Sequence, residues 1–343
     1  MKKIVVTGFN GFIGSLLVPL LLENDYQVIG IDTNYFDKDC ELYPFFHNIK
    51  VINKDIRNIT EKDLEGAYAI CHLAALSNDP LGEINPKLTD DINHIASVRL
   101  AKCAKKAGVE KYIYSSSCSL YGIADGNVAL DENADFNPVT PYAKSKVYSE
   151  RDILPEGNDE FSVTFLRNTT AYGISPKLRL DLVVNNLVGW AFTTKQIKIL
   201  SDGSPWRPLI HAEDIARSFL AVIEAPKKTV NKQAFNVGIT EENYQINDIA
   251  YLINEVMPEC DVIITGEHGS DSRSYRVSFE KIKNTLPRFK PKYNLKMGIE
   301  EIIEAYKKYQ MDTEKFNGRY FVRLKQLNYL IKNNKINGDL FWN

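Results

Sequence analysis

Cysteine and histidine are scarce in this 343-residue chain, with five of each. The cysteines (40, 71, 103, 118 and 260) are odd in number, scattered and without a Cys-x-x-Cys pair, which argues against a disulfide framework and predicts reduced thiols in a cytoplasmic protein. The histidines show no His-Glu-x-x-His or similar spacing, so no metal is expected. No apolar run reaches the ~18 residues that span a bilayer. An excess of one charge is missing too: 42 Lys and Arg face 44 Asp and Glu, a net −2, so neither nucleic acid nor a membrane surface is an expected partner. Repeats and low-complexity segments are absent. Met1–Thr7 has the charged-then-apolar start of an export leader, but the run breaks at Gly8 and reads better as a first strand. What remains, 44% hydrophobic and 25% charged, is globular material with a core large enough for one big domain plus a smaller one.

What is present begins with the β-branched run Ile4–Thr7, which enters Gly8-Phe9-Asn10-Gly11-Phe12-Ile13-Gly14 and then an apolar helix to about Leu22. Glycines at 8, 11 and 14 allow a tight turn, close approach of backbone to a phosphate and close packing of helix on strand. Backbone N–H groups at the new helix's N-terminus would face a pyrophosphate. A second strand, Gln27–Ile31, ends in Asp32, placed to accept hydrogen bonds from ribose hydroxyls and to repel a 2′-phosphate, which favours NAD over NADP. Lys50–Asn53 predicts a third strand, followed by Asp55 and Ile56 where an adenine could sit. Ala69–Leu73 predicts a fourth, followed by the small Ala74 and Ala75. Pro86 to Gly108 reads as a long helix, and Lys111–Ser115 as a strand entering Ser115-Ser116-Ser117-Cys118-Ser119. Hydroxyls at the C-terminal end of a parallel strand sit where such sheets bind ligands, although serines also serve plain turns.

Thr140-Pro141-Tyr142-Ala143-Lys144-Ser145-Lys146 opens another helix, with Thr140 a plausible cap and Pro141 at the first helical position. Tyr142 and Lys146 then stand one turn apart on one face. A phenol titrates near ~10, and a cation one turn away is expected to bring it down toward a useful range. Strand Ser162–Arg167 follows. Strands alternating with helices define an α/β fold, a doubly wound parallel sheet. After Gly173 the pattern changes: an amphipathic helix within Ser175–Thr194, a short strand Ile197–Leu200, Trp206–Asp214 leading into a helix to about Glu224, a strand Ala234–Val237 and a polar loop Gly266–Arg276. Met311–Asn343 gives no clear chemistry.

Taken together, Thr-Gly-x-x-Gly-x-x-Gly, Asp32, the serine-rich strand end, Tyr-x-x-x-Lys and Pro208-Leu209-Ile210-His211-x-x-Asp214 resemble the extended short-chain dehydrogenase/reductase superfamily, in its NAD-dependent epimerase/dehydratase branch acting on nucleotide sugars. The resemblance covers about residues 1–310. It implies a Rossmann domain over 1–173 with 206–238 returning to it, a smaller α/β nucleotide-sugar domain over 174–205 and 239–310, an extension over 311–343, and a homodimer paired through Pro86–Gly108 and Pro141–Glu156. It also implies Ser117 as catalytic hydroxyl, Tyr142 as acid/base and Lys146 at the nicotinamide ribose. The cofactor would lie on Gly8, Asn10, Gly11, Phe12, Ile13, Gly14, Asp32, Asp55, Ile56, Leu73, Ala74, Ala75, Ser115, Tyr142 and Lys146. Arg207, Arg273 and Asn186 are implied at the substrate diphosphate, and Ser77, Asn78 and Asp79 at the sugar.

Dehydratases and UDP-xylose-forming decarboxylases of this branch carry an acid two residues after the catalytic hydroxyl, and here that residue is Ser119. Fucose-synthase-like and 3,5-epimerase enzymes carry cysteine there; Cys118 lies one residue early, so its thiol is expected to be buried. Thr170 replaces a usual asparagine, and with Ser175–Asp181 it resembles a subgroup that includes GDP-heptose 4-dehydrogenases. The expected activity is a 4-epimerase working through a 4-keto sugar. The alternatives are a 4-dehydrogenase or ketoreductase, then a 4,6-dehydratase or a non-catalytic dinucleotide sensor.

Overall fold

The computed structural model describes residues 1–45, 48–124, 128–267 and 273–343, with 83 and 84 described in backbone only. Residues 268–272 of the polar loop expected at Gly266–Arg276 therefore lie outside the described residues.

Seven strands form one parallel sheet: β1 (Lys3–Thr7), β2 (Gln27–Asp32), β3 (Lys50–Asn53), β4 (Ala69–His72), β5 (Lys111–Ser117), β6 (Ser162–Asn168) and β7 (Gln233–Val237). Their spatial order is β7-β6-β5-β4-β1-β2-β3. β1 is flanked by β2 and β4, with Val5 opposite both Ile29 and Ile70. The chain order reverses there, and the C-terminal ends of β1 and β4 open a crevice. The inner strands read as nearly unbroken apolar runs because helices cover both faces. On one face α1 (Gly14–Glu23) contributes Leu17, Val18 and Leu21, packed with Phe219 and Val222. On the other, Leu100 and Ala104 pack with Ile153 and Phe161. Leu100 and Ala104 come from α2, which runs from Pro86–Asp90 through a widened turn, Asp91–Ile95, into Ala96–Lys106; Ile153 ends α3 (Pro141–Ile153), and Phe161 directly precedes β6. α4 (Ala212–Glu224) supplies Phe219 and Val222. A third core, with Leu187, Ile253 and Ile302, joins the helices Val183–Thr194, Ile246–Val256 and Leu295–Lys308.

The widened turn in α2 has a use. It buries Asn93, whose amide accepts from Leu76 N (2.8 Å) and donates to Leu76 O (3.0 Å) and Ser145 Oγ (3.3 Å). The loop after β4 is thereby tied to α3.

Two stretches differ from the sequence reading. Trp206–His211 forms a strand of its own, antiparallel to Asn243–Gln245 over its first half and parallel to Thr170–Tyr172 over its second. Pro208 hides it, since proline argues against an inner strand, but here it sits where one ladder gives way to the other. The tail is the second. α5 (Arg323–Lys332) and the residues after it return to the loops following β2 and β3. Trp342 Nε1 donates to Thr33 O (2.6 Å), Gln326 Nε2 to Tyr35 O (3.1 Å) and Arg57 Nη2 to Asp339 O (2.8 Å), and the Arg57 guanidinium lies over the Phe341 ring.

Candidate active site

The turn after β1 needs its glycines. Gly8 has φ +72°, and a Cβ there would lie 2.8 Å from Ala74 N; a Cβ at Gly14 would lie 2.2 Å from Gly8 O. Bare backbone therefore lines the crevice at the start of α1. Beside it the half-buried Asp32 carboxylate accepts from Asn10 N (3.1 Å) and Asn34 N (2.8 Å), one bond per oxygen, and desolvation raises its pKa.

β5 runs two residues beyond Ser115, so all three serines belong to the strand. Ser116 Oγ donates to Glu150 (2.5 Å), which is paired with Arg167 (2.7 Å) in the interior. Ser117 Oγ accepts from Ser119 N (3.1 Å) and faces the same cavity as the Tyr142 phenol. Thr140 caps α3 by accepting from Ala143 N (3.2 Å), with Pro141 next, as the sequence predicts. Lys146 Nζ donates to Ser115 O (2.7 Å) and lies 5.6 Å from the centroid of the Tyr142 ring.

The electrostatics correct one expectation. The Tyr142 phenol is not depressed: burial, then the Asp79 carboxylate, push it up to about 12, against the pull of Ser117, Arg179 and Arg273. Burial also brings Lys146 down to about 7. In the chain by itself, Lys146 spends its proton on a backbone carbonyl and desolvation wins.

The loop after β4 is held from several sides. Asn78 accepts from Leu81 N (3.1 Å) and donates to Asp181 (2.8 Å). Arg179 binds Ser77 Oγ (3.1 Å) and pairs with Asp181 (2.9 Å), while Arg273 pairs with Asp79 (2.8 Å). Arg207 donates to Trp206 O (2.9 Å) and to Arg273 O, and Asn186 to Leu180 O (2.9 Å). Gly82 lets this loop approach, as a Cβ there would sit 3.1 Å from Tyr142 Cβ.

The glycine turn, the end of β5, Tyr142, Lys146 and the loop after β4 surround one cavity of about 930 Å³. Gly8, Asn10, Gly11, Phe12, Ile13, Gly14, Asp32, Asp55, Ile56, Leu73, Ala74, Ala75, Ser115, Tyr142 and Lys146, expected at a cofactor, line it. Ser77, Asn78, Asp79, Ser117, Asn186, Arg207 and Arg273, expected at a substrate, line it too. Sequence reasoning missed Arg179, Asp181, Asn168, Arg323 and Leu327, which also reach it. Only the Arg-x-Asp spacing of Arg179 and Asp181 carries a local signal; the others enter through tertiary approach. Cys118 is fully buried, as expected, with Sγ against Arg167 O (3.1 Å) and its pKa pushed up by burial. Among the described residues no group of three His, Cys, Asp or Glu side chains could hold a metal ion, and no helix is long and apolar enough to cross a membrane.

Residues 4–238 match the sequence profile of the NAD dependent epimerase/dehydratase family. The chain belongs to that family. Its relatives include a putative UDP-glucose 4-epimerase of Methanocaldococcus jannaschii, 27% identical over 89% of this chain and 98% of that protein. A dTDP-D-glucose 4,6-dehydratase of Mus musculus is 26% identical over 90% and 89%. Among solved structures, the UDP-glucuronic acid 4-epimerase of Bacillus cereus, in complex with UDP-glucuronic acid and NAD, superposes with a TM-score of 0.77 at 25% identity, covering 90% of this chain and 99% of that one.

As an enzyme of the epimerase/dehydratase family, this one uses NAD, and its residues fit that cofactor. The glycine turn, packed too closely for a Cβ at Gly8 or Gly14, lines the cavity at the start of α1, where a helix N-terminus suits a diphosphate. Each Asp32 oxygen keeps a lone pair beyond its backbone bond, and a carboxylate there suits ribose hydroxyls and opposes a 2′-phosphate.

Proposed function

We propose that the enzyme is a nucleotide-sugar 4-epimerase whose acid/base group is Tyr142. The observation that carries this reading is that Ser117, Tyr142 and the buried Lys146 line one cavity, with a serine at position 119 in place of a carboxylic acid. Bound NAD supplies the hydride acceptor and donor for the sugar's C4. Tyr142 takes the C4 hydroxyl proton as that hydride leaves, and Ser117 holds the same oxygen through its hydroxyl. On this reading Lys146, which lines the cavity, binds the nicotinamide ribose. A cation at that site offsets the desolvation that otherwise keeps the phenol protonated. The 4-keto sugar would turn over in the cavity to present its other face, and Tyr142 would return the proton to its oxygen.

Removing water from C5 and C6 requires a further acid and base. The Ser119 hydroxyl, buried and without a hydrogen-bond partner, is too weak an acid, and Asp79 and Asp181 are engaged with Arg273 and Arg179. Arg207 and Arg273 bind the substrate diphosphate as planar forks, and Asn186 lies beside them. On this reading residues 1–173 with 206–238 carry the cofactor, and 174–205 with 239–310 the sugar nucleotide. α2 and α3 expose Ile95 (50%) and Tyr148 (38%), which supports a homodimer paired through these helices.

The test is incubation with UDP-, GDP-, CDP- and dTDP-sugars while product mass and NADH absorbance are followed. An isomer of unchanged mass is expected. Loss of two hydrogens with accumulating NADH would make the enzyme a 4-dehydrogenase, and loss of water a dehydratase.

A further inference from the structure

The extension beyond residue 310 reaches the cofactor cavity through the first turn of α5. Arg323 and Leu327, one turn apart and almost fully buried, both line it. The Arg323 guanidinium lies over the Phe36 ring, 4.3 Å from its centroid, and Nη2 donates to Lys177 O (2.7 Å). Its Nη1 is closed off from solvent and has no hydrogen-bond partner. Among the described residues no carboxylate oxygen lies within 4 Å of it, the nearest acidic influences being Asp181 and Asp32. Burial, together with Arg179, lowers its pKa to about 10, so the guanidinium remains charged at neutral pH. A buried, charged donor without an acceptor is costly unless a ligand completes it.

The supporting contacts say which ligand. Lys177, which accepts from Arg323, donates its own N–H to Ser175 Oγ (3.2 Å), and Ser175 Oγ donates to Phe12 O (2.8 Å). Arg323 is thus braced against the glycine turn at the start of α1, where the cofactor's phosphates belong. Arg207 and Arg273 stand with the Asp79 loop, at the other diphosphate.

We propose that Arg323 binds the diphosphate of NAD, so that the C-terminal extension supplies a cofactor ligand that the Rossmann unit lacks. The proposal rests on NAD occupying the cavity along the glycine turn, and NAD titration of the wild type tests that premise separately.

The experiment measures binding of NAD, ADP, adenosine and UDP to the full chain and to Arg323→Gln by calorimetry. NAD and ADP should each weaken by about tenfold to a hundredfold, the scale of a lost charge-assisted hydrogen bond. Adenosine, which has no phosphate, and UDP should bind both proteins alike. Equal ADP and NAD affinity in the two proteins would overturn the proposal, as would a loss confined to UDP. If Arg323→Gln does not fold, Arg323→Lys serves in its place. It keeps the charge without the fork, and should bind NAD and ADP more weakly than wild type with adenosine unchanged; wild-type affinities in that variant would overturn the proposal equally. In the wild type, a melting temperature raised no more by ADP than by adenosine also counts against it.

Discussion

At the scale of single residues, the active site turns on where one phenol finds help. Tyr142 and Lys146 were legible because an i, i+4 pair on a capped helix is local, and Thr140 and Pro141 mark the helix start. The direction of the phenol's pKa was not legible, because it depends on burial and on Asp79, which a spacing cannot reveal. Arg179, Asn168 and Arg323 were illegible for the same reason: isolated polar residues gain meaning only when strands and loops distant in sequence converge. Tyr142→Phe removes the proton carrier and little volume. Turnover should fall by about a hundredfold to ten-thousandfold, with NAD affinity within about twofold of wild type on the tenfold-per-1.4 kcal/mol scale. Rate assays and NAD titration check this, and near-normal turnover would remove Tyr142 from the acid/base role.

Among the elements, the β1–turn–α1 unit was the clearest in the sequence, since a β-branched run, three spaced glycines and an apolar helix each call for the same geometry. Trp206–His211 was obscured by Pro208, and the tail by its lack of any periodic or motif signal before its partners at Thr33, Tyr35 and Arg57 were in view. The turn makes its own prediction. In Gly14→Ala the new Cβ would fall 2.2 Å from Gly8 O and 2.7 Å from Phe9 Cα, both backbone atoms that cannot rotate away. Overpacking of this kind costs about 1–3 kcal/mol, and the turn must shift to relieve it. NAD affinity should drop about tenfold or more, with the far-ultraviolet circular dichroism of the folded protein retained. Wild-type NAD affinity in Gly14→Ala would mean the turn is not the phosphate site.

Across the whole molecule, acid stability depends on a histidine that links sheet and helix layers. His72, at the end of β4, is buried between Thr7 of β1 and Ser97 of α2. Ser97 Oγ donates to Asn93 O (2.7 Å), so it accepts the Nε2–H of His72 (2.8 Å), and Nδ1 accepts from the Thr7 hydroxyl (2.6 Å). Both hydroxyls are satisfied only by the neutral ring, and burial lowers its pKa to about 3. An unfolded chain takes up that proton near ~6.5. The stability His72 provides is therefore complete above that pH and is lost as pH falls from there toward about 3. Carboxylates that are partly or fully buried act in the opposite sense: Asp32, Glu132, Asp214 and Glu242, all raised chiefly by desolvation, accept protons in the native state first and gain stability on acidification. Total stability mixes the two, so the difference between wild type and His72→Gln is the quantity to measure. By urea unfolding, wild type should be the more stable at pH 7.5. That advantage should shrink by about 1.4 kcal/mol for each pH unit below ~6.5. A gap that stays constant from pH 7.5 to 5 would show that His72 is protonated in the native state as readily as in the unfolded one.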